Sequence, residues 1–484
     1  MHLPRLLLLG LLQSLTLCAQ VAPESLAGLW RAPLGGADNG TELYLKIQHT
    51  GEGRLKGAVA APAFADAYMD MALPQVVLRE GTLDIGLGRL QVASDAESLT
   101  GDFSFFGPVA KLRFVRCERL PVPELDRTPA TAATVAWEVA TGGELWSTPC
   151  DAGDRVIFGS DDGLVRAVSP VDGTLLWGFQ TKGRVRAEPV CDATRVFVAG
   201  DDGVLYALER KSGALCWSLV LDAAPAPRSL PHQEAASEWD YSAATPLVQD
   251  GRVYVGSAGG AFVAVDAASG RKVWERKVGA PIRAGAVMVG ELLVFGDWAG
   301  KVHALNCTDG REVWVFDAHL PVTSTAAPVG GDVVLGSRYS HLWRIDGASG
   351  LAKWTYNYWW SWVESAALIE DNRVFIGSSD ARKVFALDAA SGGRRWETRT
   401  HGYPWMRPTL HGKELYVGTL VGPKETPASG FLYALDAASG RIVRKCALPA
   451  RAGLQLNGVS TRVLVKQGLV LFGACDGTLR ALRL

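Results

Sequence analysis

The stretch AVDAASGRKVW, residues Ala264 to Trp274, decides the fold because parts of it are repeated along the chain. Its first seven residues return almost unchanged as Ala386 to Gly392 ahead of Trp396, and again as Ala434 to Gly440 ahead of Val443. Asp, Ser and Gly in this order favour a tight turn, and the alternating residues on either side favour β-strands. The stretch therefore predicts a β-hairpin that recurs throughout the chain.

The tryptophans give the period of the repeat. Their spacings are 40, 40, 57, 40, 40 and 42 residues, which is the length of a four-stranded propeller blade. Eight short apolar runs such as Val253 to Val255 predict one second strand per unit, and hence eight blades. The predicted docking tryptophans are Trp137, Trp177, Trp217, Trp274, Trp314, Trp354 and Trp396.

The eighth unit lacks its last strand because the chain ends inside the third. An additional tryptophan strand, Thr134 to Val139, precedes the first unit and predicts that the two ends of the chain close the ring together. An eight-bladed all-β propeller over residues 134–484 is therefore expected.

The pattern Ala-x-Asp-x-x-x-Gly-x-x-x-Trp is similar to the tryptophan-docking motif of the pyrroloquinoline quinone (PQQ) repeat family. The resemblance covers about residues 134–484. It implies the fold of the quinoprotein alcohol dehydrogenases and of the BamB-like outer-membrane assembly lipoproteins, and the chain is closer in character to the non-catalytic BamB-like members. It does not by itself specify a function.

Composition excludes several classes of protein. The 484 residues are 48% hydrophobic with 54 Gly and 16 Trp, which suits turn-rich β-structure rather than disorder. The 49 Lys and Arg nearly balance the 50 Asp and Glu, so no polybasic surface for nucleic acid is expected.

Residues 1–20 resemble a signal peptide, because Arg5 precedes a short apolar run that ends near Cys18 and Ala19. The sequence thus predicts an exported protein, periplasmic, outer-membrane-associated or secreted, with no transmembrane segment. Cys18 is a candidate for lipidation and a lipid anchor, although Leu17 stands where lipoprotein signals carry a small residue. Without Cys18, seven cysteines remain, so at least one is expected to lack an intramolecular partner.

Residues 26–118 predict a second module, a small antiparallel β-barrel or sandwich. It opens with Leu26 to Trp30 and closes with Leu112 to Arg116, and these two strands resemble those of a lipocalin-like accessory domain. A proline-bearing linker, 119–133, separates it from the propeller.

The candidate binding surface is the top face of the propeller. The spacing of 57 residues between Trp217 and Trp274 indicates an insertion on this face, between Leu219 and Tyr241. A lengthened turn at Leu420 to Ser429 and a cluster of aromatic residues are expected on the same face. The aromatic rings could form an exposed recognition patch or merely seal adjacent blades. The candidates in this group are Trp239, Asp240, Tyr358, Trp359, Trp360, Trp362 and Tyr403.

Alignment of the first strands predicts two rings of residues at the mouth of the central tunnel. The charged members would make this mouth net positive and favourable to an acidic group, although Arg186 and Glu188 could instead pair with neighbours. The upper ring is Trp146, Arg186, Ala243, Arg283, Thr323, Glu364, Trp405 and Ser460. The lower ring is Thr148, Glu188, Thr245, Gly285, Thr325, Ala366, Arg407 and Arg462.

Three functions fit these features. The first is a non-catalytic scaffold that binds a protein partner in the cell envelope, with no cofactor. The second is a dehydrogenase that uses PQQ and Ca²⁺ on alcohols or sugars. The quinoproteins that this fold resembles stack PQQ on a disulfide between adjacent cysteines, and the sequence has no Cys-Cys pair. They also bind Ca²⁺ through Glu and Asn and use an Asp as base, but the ring offers Glu364 without a neighbouring Asn or Asp. Asp240 is the remaining carboxylate to test. The third is a glycan-binding module that uses the aromatic cluster.

Overall fold

A computed structural model describes residues 21–34, 41–62, 68–104, 109–120, 126, 128–224, 228, 239–358, 361–422 and 427–483. The chain divides near residue 121 into two compact units. The predicted signal peptide with Cys18 lies outside the described residues, as do Trp359 and Trp360. In this described part, no helix has the length and apolar character needed to cross a membrane.

The first unit is one nine-stranded antiparallel sheet that curls into a nearly closed barrel. Its opening and closing strands are neighbours, so that Trp30 lies opposite Arg116 and the guanidinium stacks 4.3 Å from the indole centroid. A 3₁₀ turn, Pro23–Leu26, precedes the strands. The strands are Gly28–Leu34, Thr41–His49, Leu55–Pro62, Tyr68–Ala72, Val77–Arg79, Thr82–Asp84, Gly88–Val92, Ser98–Phe103 and Ala110–Cys117.

The second unit is the predicted eight-bladed propeller. Blade 1 consists of Cys150–Asp151, Val156–Phe158, Leu164–Val168 and Leu175–Gln180, and blade 2 of Val190–Cys191, Arg195–Ala199, Val204–Glu209 and Leu215–Val220. Blade 3 consists of Leu247–Gln249, Arg252–Gly256, Ala261–Asp266 and Lys272–Lys277. Blade 4 consists of Val287–Val289, Leu292–Gly296, Lys301–Asn306 and Glu312–Asp317. Those of blades 5 and 6 are Ala327–Val329, Asp332–Gly336, His341–Asp346 and Ala352–Asn357; Leu368–Glu370, Arg373–Gly377, Lys383–Asp388 and Arg394–Arg399. Those of blades 7 and 8 are Thr409–His411, Glu414–Gly418, Phe431–Asp436 and Ile442–Ala447; Leu464–Lys466, Leu469–Ala474, Thr478–Arg483 and Val135–Ala140.

The propeller ring closes as predicted from the additional tryptophan strand ahead of the first unit. Val135–Ala140 pairs antiparallel with Thr478–Arg483 and supplies the outer strand of blade 8. Leu420–Val421 in the lengthened turn of blade 7 adds a small ladder with Asn457–Gly458.

Each docking tryptophan joins its blade to the next. The Nε1–H groups donate to backbone carbonyls at 2.9–3.2 Å, on Pro170, Arg210, Ala267, Cys307, Gly347, Ala389 and Ala437 in chain order. A turn glycine packs under each ring. At Gly350, which has a φ of +74°, an added Cβ would lie 2.7 Å from Cδ2 of Trp314.

Blade 7 departs from this scheme, because Arg444 occupies the register position of a docking tryptophan. Residues that the sequence assigns to the linker pack here instead. Thr131–Ala132 adds a parallel strand to Cys446–Ala447, and Asp126 forms an ion pair of 2.6 Å with Lys445. The predicted linker therefore ends as part of the propeller, on the outer edge of blade 7.

Two cysteines on neighbouring first strands lie close together: Sγ of Cys150 is 3.6 Å from Sγ of Cys191. No disulfide joins the seven described cysteines, and the two sulfurs need to approach by about 1.5 Å to form one. We expect oxidised glutathione to link this pair by thiol–disulfide exchange, with the two protons and two electrons passing to two reduced glutathiones. Peptide mass mapping should show the cross-linked pair while exposed Cys216 does not join it. Glutathione adducts at Cys150 and Cys191 without a link between them would contradict this expectation.

Candidate functional site

A central cavity of about 300 Å³ runs along the propeller axis. All sixteen residues of the upper and lower rings line it, so the structure brings these positions together around one cavity. The two rings differ in exposure. Every upper-ring residue except Ala243 is buried, whereas the lower ring is partly accessible, with Arg407 exposed. The cavity is therefore closed at the upper ring and open on its other side, where exposed Pro328 lines it.

Aromatic side chains close the upper end. Tyr241, from the end of the insertion, lies between Trp146 and Trp405, with ring centroids 4.9 and 5.1 Å away. Trp239 packs edge-on against Trp405, and Tyr403 also stacks on Trp405. We call these five residues the aromatic plug. The insertion thus closes the upper end of the central cavity of its own propeller.

A buried carboxylate fixes the plug from below. Glu364 accepts hydrogen bonds from the hydroxyls of Tyr241 and Thr323, both at 2.8 Å, and pairs with Nε of Arg338 at 2.7 Å. The Glu364 and Arg338 side chains are only 2% and 3% exposed. Arg338 also lies 4.5 Å from the centroid of Trp362. Both oxygens of Glu364 are therefore already used within the protein.

Asp240 is held in the same way. One of its oxygens accepts from Arg283 at 2.6 and 2.9 Å, and the other accepts from Arg228 at 3.1 Å. Arg228 also pairs with Asp201 at 2.6 Å. The sequence analysis did not identify Arg228 or Arg338 as candidate residues. Arg228 lies in the inserted segment, and the absence of that segment from the other repeats is the signal that could have pointed to it.

The remaining candidates form pairs or interfaces. Arg186 pairs with Asp161 and Arg462 with Glu188. Tyr358 and Trp405 are each 5% exposed, and Tyr358 packs against Phe385 at the blade interface. Of the aromatic cluster, Trp239, Trp362 and Tyr403 are partly exposed. The expectation of an exposed patch therefore does not hold for Tyr358 and Trp405, which are enclosed because neighbouring blades pack around them.

Asp380 gives the top face a pH-dependent carboxyl. Burial, with a contribution from the Glu364 charge, raises the pKa of Asp380 to about 7. In the unfolded chain the pKa of the Asp380 carboxyl is about 3.9. Below pH 3.9 the carboxyl is protonated in both states, and its full contribution to the free energy of unfolding is present. It is lost as the pH rises through about 7.

We expect Asp380→Asn to raise the free energy of unfolding by about 1–3 kcal/mol at pH 8 and to leave it nearly unchanged at pH 4. Unfolding curves at both pH values measure the difference, with Asp309→Asn in an exposed turn as the control. An equal effect of Asp380→Asn at the two pH values would argue against a raised pKa.

Comparisons with known proteins agree with this architecture. A family model described as "Outer membrane protein assembly factor BamB" matches residues 161–315, 265–359 and 360–484. No curated protein sequence matches significantly.

Several solved structures share the fold. BamB from Moraxella catarrhalis is 18% identical, with 73% of this chain and 100% of that chain covered and a TM-score of 0.55. The computationally designed Ika8 protein is 17% identical, with coverages of 72% and 100% and a TM-score of 0.58. A quinohemoprotein alcohol dehydrogenase from Pseudomonas putida is 13% identical, with coverages of 72% and 76% and a TM-score of 0.56. At these identities the likeness concerns the fold alone.

Proposed function

Because the chain belongs to the family of the outer membrane protein assembly factor BamB, we propose that it is a protein-binding scaffold of the bacterial cell envelope. In this proposal residues 1–20 direct export, and the mature protein is periplasmic or associated with the outer membrane. The family model supports a place in the cell envelope. The repeat fold sets the outer strand of each blade at the rim of a rigid ring. A lipid anchor at Cys18 belongs to the same proposal.

The observation that carries the proposal is the composition of the outer strands. Leu175–Gln180 in blade 1 and Leu215–Val220 in blade 2 contain no charged residue, whereas the outer strand of every other blade contains at least one. Leu175, Leu176, Leu215 and Val220 are 47–61% exposed. Exposed sheet edges are usually protected by charges, and unprotected ones readily pair with another strand.

The propeller already accepts an additional strand elsewhere. Thr131–Ala132 lies along the outer edge of blade 7, where it pairs with Cys446–Ala447. We infer that an extended segment of a partner protein adds to the edges of blades 1 and 2 in a similar way, with main-chain hydrogen bonds and apolar side-chain contacts.

The residues at the upper end do not fit PQQ with Ca²⁺. The aromatic plug closes the central cavity there, and Glu364 and Asp240 are both engaged by arginines. No group of three or more His, Cys, Asp or Glu suited to a metal ion occurs among the described residues. These contacts favour a scaffold over the dehydrogenase alternative, and the burial of Trp405 gives the glycan alternative no support.

Photo-crosslinking in the native cell envelope tests the docking edge. A crosslinking amino acid at Leu176 or Leu215 should give one discrete adduct with an envelope protein, and the same group at exposed Val313 in blade 4 should not. The substitution Leu176→Lys combined with Leu215→Lys should abolish a partner adduct formed through a neighbouring probe at Val220. Equal adducts at all blades, or none at blades 1 and 2, would contradict the proposal.

A further inference from the structure

The lower ring of the tunnel has an unbalanced charge. It contains Arg407, Arg462 and Glu188, and the guanidinium of Arg462 lies 2.5 Å from Oε1 of Glu188. Arg407 has no hydrogen bond or ion pair within the described part of the chain, although it lines the same cavity. One cation at this level therefore lacks a counter-charge.

The upper ring does not supply that counter-charge. Its carboxylate, Glu364, pairs with Arg338. Its two arginines, Arg186 and Arg283, pair with Asp161 and Asp240. Each charge of the upper ring is thus compensated locally, and the net positive charge of the cavity comes from the lower ring.

The side of the lower ring opposite the arginines is small and uncharged. It is formed by Thr245, Gly285, Thr325 and Ala366. A side chain at Gly285 would not fit, because an added Cβ would lie 2.8 Å from Oγ1 of Thr325. Short side chains without charge therefore line the tunnel across from the charged side.

Two threonine hydroxyls of the lower ring can donate to a ligand, Thr148 on the charged side and Thr325 on the opposite side. Oγ1 of Thr148 accepts from the backbone N–H of Arg462 at 3.3 Å, and Oγ1 of Thr325 accepts from the N–H of Gly285 at 3.1 Å. Because a hydroxyl that accepts retains its own proton, both can still donate to a ligand. The guanidinium groups and the Thr148 hydroxyl beside them together suit a carboxylate.

We propose that the lower ring binds a small organic carboxylate, whose acid group meets Arg407 and Arg462 and whose uncharged body lies against Thr245, Gly285, Thr325 and Ala366. The aromatic plug closes the upper end, so the ligand enters from the side of Pro328. The site is separate from the sheet edges proposed for the protein partner.

Glu188 makes this proposal sharply testable. It competes with a bound carboxylate for Arg462, so neutralising it should strengthen binding, whereas neutralising Arg407 should weaken binding. A merely structural role for these residues would not produce opposite effects on affinity.

Isothermal titration of the full-length protein with succinate and benzoate tests the site, with succinamide and benzamide as uncharged controls. We expect at least one acid to bind and neither amide to bind. Arg407→Gln should weaken the bound acid about tenfold or more, Glu188→Gln should strengthen it severalfold, and Arg441→Gln on the exposed surface of the same blade should change nothing.

Two results would overturn the proposal. One is that neither acid binds more tightly than its amide. The other is that Arg407→Gln retains the affinity of the unaltered protein while its thermal unfolding shows that it is folded. Neither result bears on crosslinking at blades 1 and 2, so the carboxylate site and the docking edge can fail independently.

Discussion

Replacing Trp314 with alanine is expected to lower the free energy of unfolding by about 3–5 kcal/mol. Trp314 is only 9% exposed and packs with apolar residues of blades 4 and 5. Its Nε1–H donates to the carbonyl of Gly347 at 2.9 Å, and its ring covers Gly350. The substitution leaves a cavity between two blades and an unpaired carbonyl.

Denaturant unfolding of the purified protein measures this loss. Val313→Ala, on the same strand but 41% exposed, is the matched control and should cost less than about 1 kcal/mol. If Trp314→Ala cost no more than the control, the docking tryptophans would not hold the blades together.

Replacing Glu364 with glutamine is expected to destabilise the protein by a similar amount, about 3–5 kcal/mol. The substitution removes the partner of Arg338, whose side chain is 3% exposed, and so leaves a buried charge uncompensated. It also weakens the acceptor of the Tyr241 hydroxyl, which holds the aromatic plug.

A double-mutant cycle measures the coupling between Glu364 and Arg338 apart from their other contacts. Adding Arg338→Met to Glu364→Gln should restore part of the lost stability, because the uncompensated charge is then gone. Glu275→Gln in the exposed Lys272–Glu275 pair should cost less than about 1 kcal/mol. Strictly additive losses in the double variant would show that Glu364 and Arg338 do not act as a pair.

The fold could be predicted from the sequence because a propeller is a local repeat. The turn before Trp274 recurs with a fixed period, and each copy folds into the same hairpin. The closing strand with Trp137 was predictable because its counterpart is missing at the other end. The two tunnel rings followed from the same register, since equivalent positions of equivalent strands face one axis.

The plug could not be predicted because its key residues come from outside the repeat. Tyr241 and Trp239 belong to the insertion, and a segment without counterparts carries no register from which its position can be derived. Trp405 shows a second limit: an aromatic residue at a strand end can face solvent or a neighbouring ring, and the sequence pattern is the same in both cases. Its burial depends on Tyr241, which lies 164 positions earlier in the chain.

The choice between scaffold and quinoprotein can be decided by one titration. Purified mature protein is mixed with PQQ and Ca²⁺, the absorbance of the cofactor is followed, and dye reduction is then measured with a panel of alcohols and sugars. A scaffold whose central cavity is closed at the upper end by Tyr241 and Trp405 predicts no Ca²⁺-dependent saturable complex and no dye reduction above that of free PQQ. Saturable binding accompanied by turnover would contradict the proposed function and would make Glu364 and Asp240 the residues to test as calcium ligand and base.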